Sequence, residues 1–320
     1  MPGVPALPPL TFRLGERSDL PACSTILAPG DPAAAFGEAL PALWQQCLGC
    51  GGFTVIEDPT QDRPASIEAF GLSVFVPNAF ADRFFDSPTP GLGAAVLGAL
   101  QRGETPLLTE AEIAAGNSGD GLNVVVLHFG ARHSDYADAR TLPVLNLIGP
   151  SFYFVHSGYR VRSILAETYG PESTRFAQEG PFNLLHDFAA QDPAAYANVP
   201  PAQRPNLVGL RREWVHGARF FPLSQLFFTE APRIWFSPTE RRVLERAVLN
   251  QADDQIAESL GLSAHTVKKA WNSALERATD ALPGIIPSPS TPAGVRGPEK
   301  RRFLLDYLRL HMEEVRPYSR

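Results

Sequence analysis

The C-terminal part of the chain is organised by residues 237–282, which read SPTERRVLERAVLNQADDQIAESLGLSAHTVKKAWNSALERATDAL. Ser237 is placed to cap a helix, with Pro238 at its first position and Glu240 completing a capping box. Apolar residues then recur on one face until Asn250, which can adopt the left-handed conformation that ends a helix. The pattern predicts a first helix of about three turns.

A shorter helix and a longer one are predicted to follow. The second begins near Asp253 and ends at Gly261, a residue type common at helix C-termini. After a turn, Ser263 is placed to cap a third helix, and Trp271 falls on the buried side of that helix. The pattern predicts a core made of Val243, Leu244, Ile256, Leu260, Val267 and Trp271.

A short helix, a turn that contains glycine and a longer helix with basic residues on its free face form a geometry that enters a DNA major groove. Residues 236–278 resemble, without a gap, the LuxR/GerE-type helix-turn-helix regulators. The resemblance implies that the exposed face of the third helix contacts double-stranded DNA. The residues on that face are His265, Thr266, Lys268, Lys269 and Asn272. The shared pattern is Ser237-Pro238-x-Glu240-Arg241-x-Val243-Leu244, Ile256-Ala257-Glu258-x-Leu260-Gly261-Leu262-Ser263 and Thr266-Val267-Lys268.

The chain departs from this family in two places. Asp253 and Asp254 stand where the family often has neutral or basic residues, near the phosphates that supply most sequence-independent affinity. The family's short fourth helix does not follow at once, because a proline-rich stretch intervenes. Either the amphipathic helix predicted for 298–315 replaces it, or dimerisation uses the N-terminal part.

Charge is distributed unevenly along the 320 residues, whose net charge is −6. From residue 236 onward there are 13 basic and 11 acidic residues, against 15 and 23 before it. The three lysines of the chain, Lys268, Lys269 and Lys300, all lie in the basic end. The composition is that of a globular protein, and neither a membrane-length apolar run nor a signal sequence is evident, so a cytoplasmic location is expected.

Residues 1–230 are predicted to form a mixed α and β domain. Strands are expected at 52–57, 67–76 and 122–129. Helices are expected at 91–102, 109–115, 159–169 and 182–190.

The predicted fold class is α+β, with an all-α C-terminal part. The predicted units are a sensor or regulatory domain at 1–230, a helix-turn-helix domain at 231–282, a proline-rich linker at 283–297 and a C-terminal amphipathic helix at 298–320.

Residues 1–230 lack the residues that several kinds of site require. No lysine precedes Lys268, which excludes a phosphoacceptor receiver domain and a Walker A loop. The motifs GxGxxG and GxSxG are absent as well. Cys47 and Cys50 form a CxxC without a second pair, so we interpret them as buried side chains. The histidines lack HxxxH or HExxH spacing. They include His128, His133, His156 and His216, with Asp135 and Asp138 near the second. The sequence therefore predicts no catalytic residue, no metal ligand and no cofactor.

A second resemblance suggests an enzyme. The paired strands ending in Phe70-Gly71-Leu72, the helices after them and the buried strand at 124–127 follow an order similar to that of GNAT-type acyltransferases. Those enzymes bind the pyrophosphate of coenzyme A at a glycine-rich turn that opens a helix after a strand. This chain has Gly130-Ala131-Arg132-His133 after Phe129 instead.

The main prediction is a bacterial-type, DNA-binding transcriptional regulator that is not an enzyme. It is expected to act as a homodimer, with a small-molecule ligand or protein partner bound by residues 1–230. The alternatives are an acyltransferase-like enzyme fused to a helix-turn-helix, and a helix-turn-helix that contacts protein.

Overall fold

A computed structural model describes residues 9–27, 31–133, 135, 138–215, 222–286 and 297–320. A seven-stranded mixed sheet lies at its centre, with the strand order β1-β2-β3-β4-β5-β7-β6. This confirms the mixed α and β fold and the three predicted strands, which correspond to β2, β3 and β4. The strands are β1 (Thr11–Leu14), β2 (Phe53–Glu57), β3 (Ile67–Val76), β4 (Leu122–Ala131), β5 (Val161–Tyr169), β6 (Asn183–Asp187) and β7 (Pro205–Arg211).

Twelve α-helices are described around and after the sheet in these ranges. None of the described helices is long and apolar enough to cross a membrane. The helices are α1 (Leu20–Cys23), α2 (Leu40–Cys47), α3 (Asn78–Asp86), α4 (Leu92–Gln101), α5 (Glu110–Ser118), α6 (Thr141–His156), α7 (Gly170–Glu179), α8 (Phe188–Gln191), α9 (Pro238–Val248), α10 (Asp253–Leu260), α11 (Ala264–Ala281) and α12 (Gly297–Leu310).

The sheet changes strand direction at its middle. Strands β1 to β4 pair antiparallel in chain order, β4 and β5 pair in parallel, and β5, β7 and β6 are antiparallel again. A parallel pair needs a crossover connection, which α6 supplies between β4 and β5. Helices α2 and α4 cover one face of the sheet, where Trp44 and Leu92 pack on Phe70 and Leu127. Helix α6 covers the other face.

Two helices predicted from the sequence are wrong. Residues 159–169 form the central strand β5, and residues 182–190 form the edge strand β6 followed by the short helix α8. Strand β5 has Val161, Ser163, Ile164 and Leu165 buried, because helices cover both faces of the sheet. A strand buried on both faces lacks the alternation of polar and apolar residues and is easily mistaken for a buried helix.

The predicted start and stop signals of the three C-terminal helices are confirmed. Ser237 accepts a hydrogen bond from the Glu240 amide at 3.4 Å and begins α9. Asn250 and Gly261 both have positive φ, at 61° and 62°. Ser263 accepts from the Thr266 amide at 3.0 Å and begins α11. Of the predicted core residues Leu260 is half-buried and the others are buried.

Helix α12 joins the same core as α9 to α11, with Leu304 and Leu308 fully buried. It ends at Leu310, short of the predicted end at residue 315, and a 3₁₀ turn of Met312–Val315 follows. Of the predicted linker at 283–297, residues 287–296 lie outside the described part of the chain. The division of the chain into four units stays a prediction.

Candidate functional site

Strands β4 and β5 separate from one another towards their C-terminal ends. Their parallel register runs from Leu122 and Val161 to Val126 and Ala166. Beyond that point β4 continues along β3 to Ala131, and β5 continues along β7 to Tyr169. A β-bulge falls on β4 at the same place, since Val126 pairs with Ser73 and His128 with Leu72. The open end of the parallel pair is a place where the sheet can admit a ligand.

Glu167 is the first charged side chain of β5 beyond this point. Its carboxylate accepts hydrogen bonds from the amides of Gly91 (2.8 and 3.1 Å) and Leu92 (2.8 Å), at the N-terminus of α4. Burial raises the pKa of Glu167, and the negative charge of Asp31 adds to that effect, while the two amides oppose it. The result is a carboxylate that holds a proton more readily than an ordinary one.

Tyr169 lies two residues after Glu167 and so on the same face of β5. Its hydroxyl interacts with the Glu167 carboxylate, and this interaction favours the ionised form of Glu167. Burial, together with the charges of Glu167 and Asp31, raises the pKa of Tyr169 far above its usual range. The phenol is therefore neutral at physiological pH and can act as a proton donor.

His128 on β4 lies beside this pair. Its Nδ1 is 2.9 Å from the carboxylate of Asp31, and its ring centroid is 5.1 Å from that of Trp44. The Nε2 atom of His128 and the Nε1 atom of Trp44 are buried without a hydrogen-bond partner among the described residues. A Cβ atom at Gly93 would lie 3.0 Å from the Leu127 carbonyl oxygen and 3.6 Å from Cε1 of His128. Helix α4 thus begins directly against the bulge, and only glycine allows this approach.

We call these five residues the β4–β5 cluster: Asp31, Trp44, His128, Glu167 and Tyr169. A carboxylate with a raised pKa beside a neutral phenol is an arrangement suited to accepting and donating protons. Of the cluster, only His128 was weighed from the sequence as a metal ligand, while Glu167 and Tyr169 were interpreted as residues on a helix surface. Glu167 and Tyr169 were missed because β5 was taken for a helix, where both fit a solvated surface equally well.

The other candidates from the sequence do not join this cluster. Cys47 is buried and Cys50 half-buried, and both are free thiols. Burial raises the pKa of Cys47 to about 12 and also raises that of Cys50, so neither is a ready thiolate. His133 lies on the segment after β4, and His216 is outside the described residues.

His156 forms a buried pair with Ser73. The Ser73 hydroxyl lies 2.8 Å from its Nε2, and its Nδ1 lies 2.8 Å from the Phe152 carbonyl oxygen. A serine next to a histidine can be a nucleophile and its base. Here the two side chains are 3% and 1% exposed, so substrate has no access and the pair is part of the packing.

This pair makes stability dependent on pH. Burial lowers the pKa of His156 from 6.5 to about 4. Between these pH values the unfolded chain therefore binds a proton at His156 and the folded chain does not. We expect the free energy of unfolding to be constant above pH 6.5 and to fall by about 3 kcal/mol between pH 6.5 and 4 from this group. Urea unfolding at several pH values measures this free energy. The dependence should weaken in His156→Gln and persist in His265→Gln, an exposed histidine. Equal pH profiles for both variants would contradict it.

The predicted DNA-facing residues share the outer side of α11. His265, Lys268, Lys269 and Asn272 are exposed, and Thr266 is half-buried. Asp253, which was expected to weaken phosphate binding, interacts with other residues of the C-terminal helices. It accepts from Nε1 of Trp271 at 3.0 Å and pairs with Arg301 at 2.9 Å. DNA contact by this face stays a prediction.

No family model matches this chain, and no curated protein matches it. Solved structures do match part of it. The C-terminal condensation domain of Ebony in complex with beta-alanyl-dopamine is 12% identical, over 64% of this chain and 100% of that one, with a TM-score of 0.42. A polyamine N-acetyltransferase of Drosophila melanogaster is 14% identical, over 63% and 99%, with a TM-score of 0.37. The ribosomal-protein-S18-alanine N-acetyltransferase of Escherichia coli is 10% identical, over 63% and 93%, with a TM-score of 0.33.

The main prediction from the sequence, a DNA-binding transcriptional regulator without enzymatic activity, is not borne out by these matches. They include several N-acetyltransferases, in line with the acyltransferase alternative, and what they share with this chain is a likeness of fold. Since the identities are this low, the chemistry of the chain is derived from its own residues.

The start of α6 does not fit the pyrophosphate of coenzyme A, which the GNAT resemblance implies at this position. The Thr141 amide donates to the Asp138 carbonyl oxygen at 2.9 Å. The Asp138 carboxylate accepts from the Arg140 amide at 2.9 Å and from its guanidinium at 2.6 Å. Arg140 holds the pKa of Asp138 down at about 2, so the carboxylate is ionised. Asp138 and the Thr141 amide are thus already paired within the chain rather than free to bind a diphosphate.

Proposed function

We propose that the sheet part of this chain transfers an acyl group from an activated donor to an amine. The observation that supports this most is the position of Glu167, a carboxylate with a raised pKa at the point where β4 and β5 separate. Asp31 of the β4–β5 cluster acts on it as a second negative charge. The second support is Tyr169, a neutral phenol that interacts with the same carboxylate.

The reaction needs a base and an acid in one place. An aliphatic amine has a pKa of about 10, so it is protonated at neutral pH and must lose a proton before its nitrogen attacks the acyl carbon. Glu167 accepts that proton. The N–C bond then forms as the bond from the acyl carbon to the leaving group breaks, and the nitrogen gives up its second proton. The leaving group takes up one proton from the Tyr169 hydroxyl, which regains a proton from Glu167, and the other proton passes to solvent. These proton transfers are of the kind that positioned side chains accelerate.

The charge of the site favours a cationic acceptor. Glu167 and Asp31 act on each other as like charges, and both raise the pKa of Tyr169. An ammonium group that enters between them relieves this repulsion. Asp31 is itself held in place by His128, whose Nδ1 lies 2.9 Å from its carboxylate.

The test is an assay of the full chain with two kinds of thioester donor. One is acetyl-coenzyme A, and the other is acetyl-pantetheine, which lacks the diphosphate. Each is offered with a panel of primary amines, and products are identified by mass spectrometry. We expect an N-acetylated amine, with acetyl-pantetheine used at least as well as acetyl-coenzyme A. Absence of product from every pair of donor and amine would contradict the proposal.

Double-stranded DNA is proposed as a partner of the C-terminal helices, separately from the enzymatic function. The resemblance of residues 236–278 to LuxR/GerE-type segments supports it, as does the exposure of two of the chain's three lysines on one side of α11. A homodimer would present two such helices to neighbouring half-sites. The DNA-facing residues proposed are His265, Thr266, Lys268, Lys269 and Asn272.

Lys268→Ala tests this partner. We expect an unchanged fold, because the side chain is exposed, and weaker binding of duplex DNA. A lost phosphate contact lowers the salt slope by about one, and a lost base contact costs roughly 1–3 kcal/mol and relaxes one position. Fluorescence anisotropy with labelled duplexes at several salt concentrations measures both. Lys300→Ala on α12 is the control. Equal affinities of the wild type and Lys268→Ala for duplex DNA would show that Lys268 does not contribute to the interface.

A further inference from the structure

A cavity separate from the β4–β5 cluster lies where the sheet meets the C-terminal residues. Its volume is about 270 Å³. Its walls come from four segments: the end of α5, the start of β5, the chain leading into α9, and the C-terminal tail, residues 316–320. Its lining includes Asn117, Arg160, Trp235, Tyr318 and Arg320.

The walls of this cavity are held by hydrogen bonds that cross between segments. Asn117 is 1% exposed, donates to the Pro317 carbonyl oxygen at 2.7 Å and accepts from the Arg160 amide at 2.9 Å. The Tyr318 hydroxyl donates to the Gly158 carbonyl oxygen at 3.0 Å. These groups are satisfied by the protein itself, so they frame the cavity before any ligand arrives.

Two arginine side chains line the cavity. Among the described residues, neither Arg160 nor Arg320 has an ion pair, although both line the space. The nearby carboxylates have other partners: Glu230 pairs with Arg233 at 3.4 Å, and Glu313 with His311 at 2.9 Å.

A further arginine adds to this charge from behind the cavity. Burial lowers the pKa of Arg212, and repulsion from Arg160 and Arg162 lowers it further, against attraction by Asp120 and Glu213. Like charges this close destabilise one another, and an anion between them would relieve the repulsion.

Trp235 forms one wall in a conformation that bulky residues rarely adopt. Its φ is 57°, in the left-handed region, and the Arg320 guanidinium lies 5.4 Å from its ring centroid. This conformation is strained for a residue other than glycine, and it persists only where the surroundings determine it. The strain places a half-buried indole ring against the cavity, where a flat group can stack on it.

We infer that this cavity binds a small anion with two negative charges, a phosphomonoester or a dicarboxylate, between Arg160 and Arg320. The ligand contacts the start of β5 on one side and the C-terminal tail on the other. Binding thereby strengthens the attachment of the tail to the sheet, and with it that of the helices α9 to α12.

Titration calorimetry of the full chain tests the inference with three probes: inorganic phosphate, phenyl phosphate and succinate. We expect saturable binding of at least one probe, and which probe binds decides between phosphate and carboxylate. Phenyl phosphate should also quench tryptophan fluorescence, and the quenching should be lost in Trp235→Phe.

The matched variants are Arg160→Gln and Arg175→Gln, the second an exposed arginine on α7. We expect Arg160→Gln to weaken binding by about tenfold or more, as loss of a charge-assisted contact does, and Arg175→Gln to bind like the wild type. No saturable binding of any probe, or equal affinity for the wild type and Arg160→Gln, would overturn the inference. Neither variant touches the β4–β5 cluster, so acyl transfer should persist in both.

Discussion

Glu167→Gln should lower kcat for amine acylation by about 10²–10⁴-fold, the range that a positioned general base contributes. The amide keeps an oxygen that can accept from the Gly91 and Leu92 amides, which lie 2.8 Å from the carboxylate in the native chain. The fold at the start of α4 should therefore survive, while the ability to accept a proton is lost. Steady-state kinetics with saturating donor and amine measure the effect.

The pH profile separates a base from a residue that only holds α4 in place. A base acts when deprotonated, so kcat in the wild type should rise with pH through the raised pKa of Glu167, above the usual range of a glutamate. In Glu167→Gln this limb should disappear. Glu172→Gln, an exposed glutamate on α7, is the matched control and should keep both rate and profile. If Glu167→Gln kept the wild-type rate, proton transfer by Glu167 would be excluded.

The parts of the fold that could be predicted from the sequence are those marked by local signals such as helix caps. Ser237, Gly261 and Ser263 act within three or four residues of their own position, so helices α9 to α11 could be placed from the sequence. Strand β5 could not, because its burial on both faces depends on helices distant in the chain. Whether a short buried segment of this kind forms a strand or a helix is decided by the rest of the fold around it.

The candidate site depends on long-range contacts even more than the fold does. Glu167 meets the Gly91 amide across 76 residues, and His128 meets Asp31 across 97. No local spacing encodes either contact. A carboxylate on a misassigned helix surface gives no sign that it will be buried or that its pKa will rise. Once β5 is recognised as a strand, the alternation of Leu165, Glu167 and Tyr169 puts two polar groups on a buried face, which is the one signal in the sequence for this site.

Trp271→Ala should cost the helical part of the chain about 3–5 kcal/mol, the usual loss for a buried tryptophan. The side chain is 2% exposed in the core that α9 to α12 share. The substitution also removes the donor to Asp253 and the ring beneath Arg301, whose guanidinium lies 4.5 Å from the ring centroid. Asp253 and Arg301 still pair with each other, so the cost is mainly that of the cavity. A loss of this size is a large part of the stability of a small core.

Urea unfolding of the full chain followed by far-ultraviolet circular dichroism measures this loss. Trp214→Ala is the control, since that side chain is 45% exposed and its removal should change stability little. Trp271→Phe keeps most of the ring volume but not the indole donor, so it should fall between the two and separate packing from the hydrogen bond. If Trp271→Ala unfolded at the same urea concentration as Trp214→Ala, α11 would be rotated about its axis relative to the structure. Lys268 and Asn272 would then turn inwards, and the proposed DNA-facing side would be wrong with them.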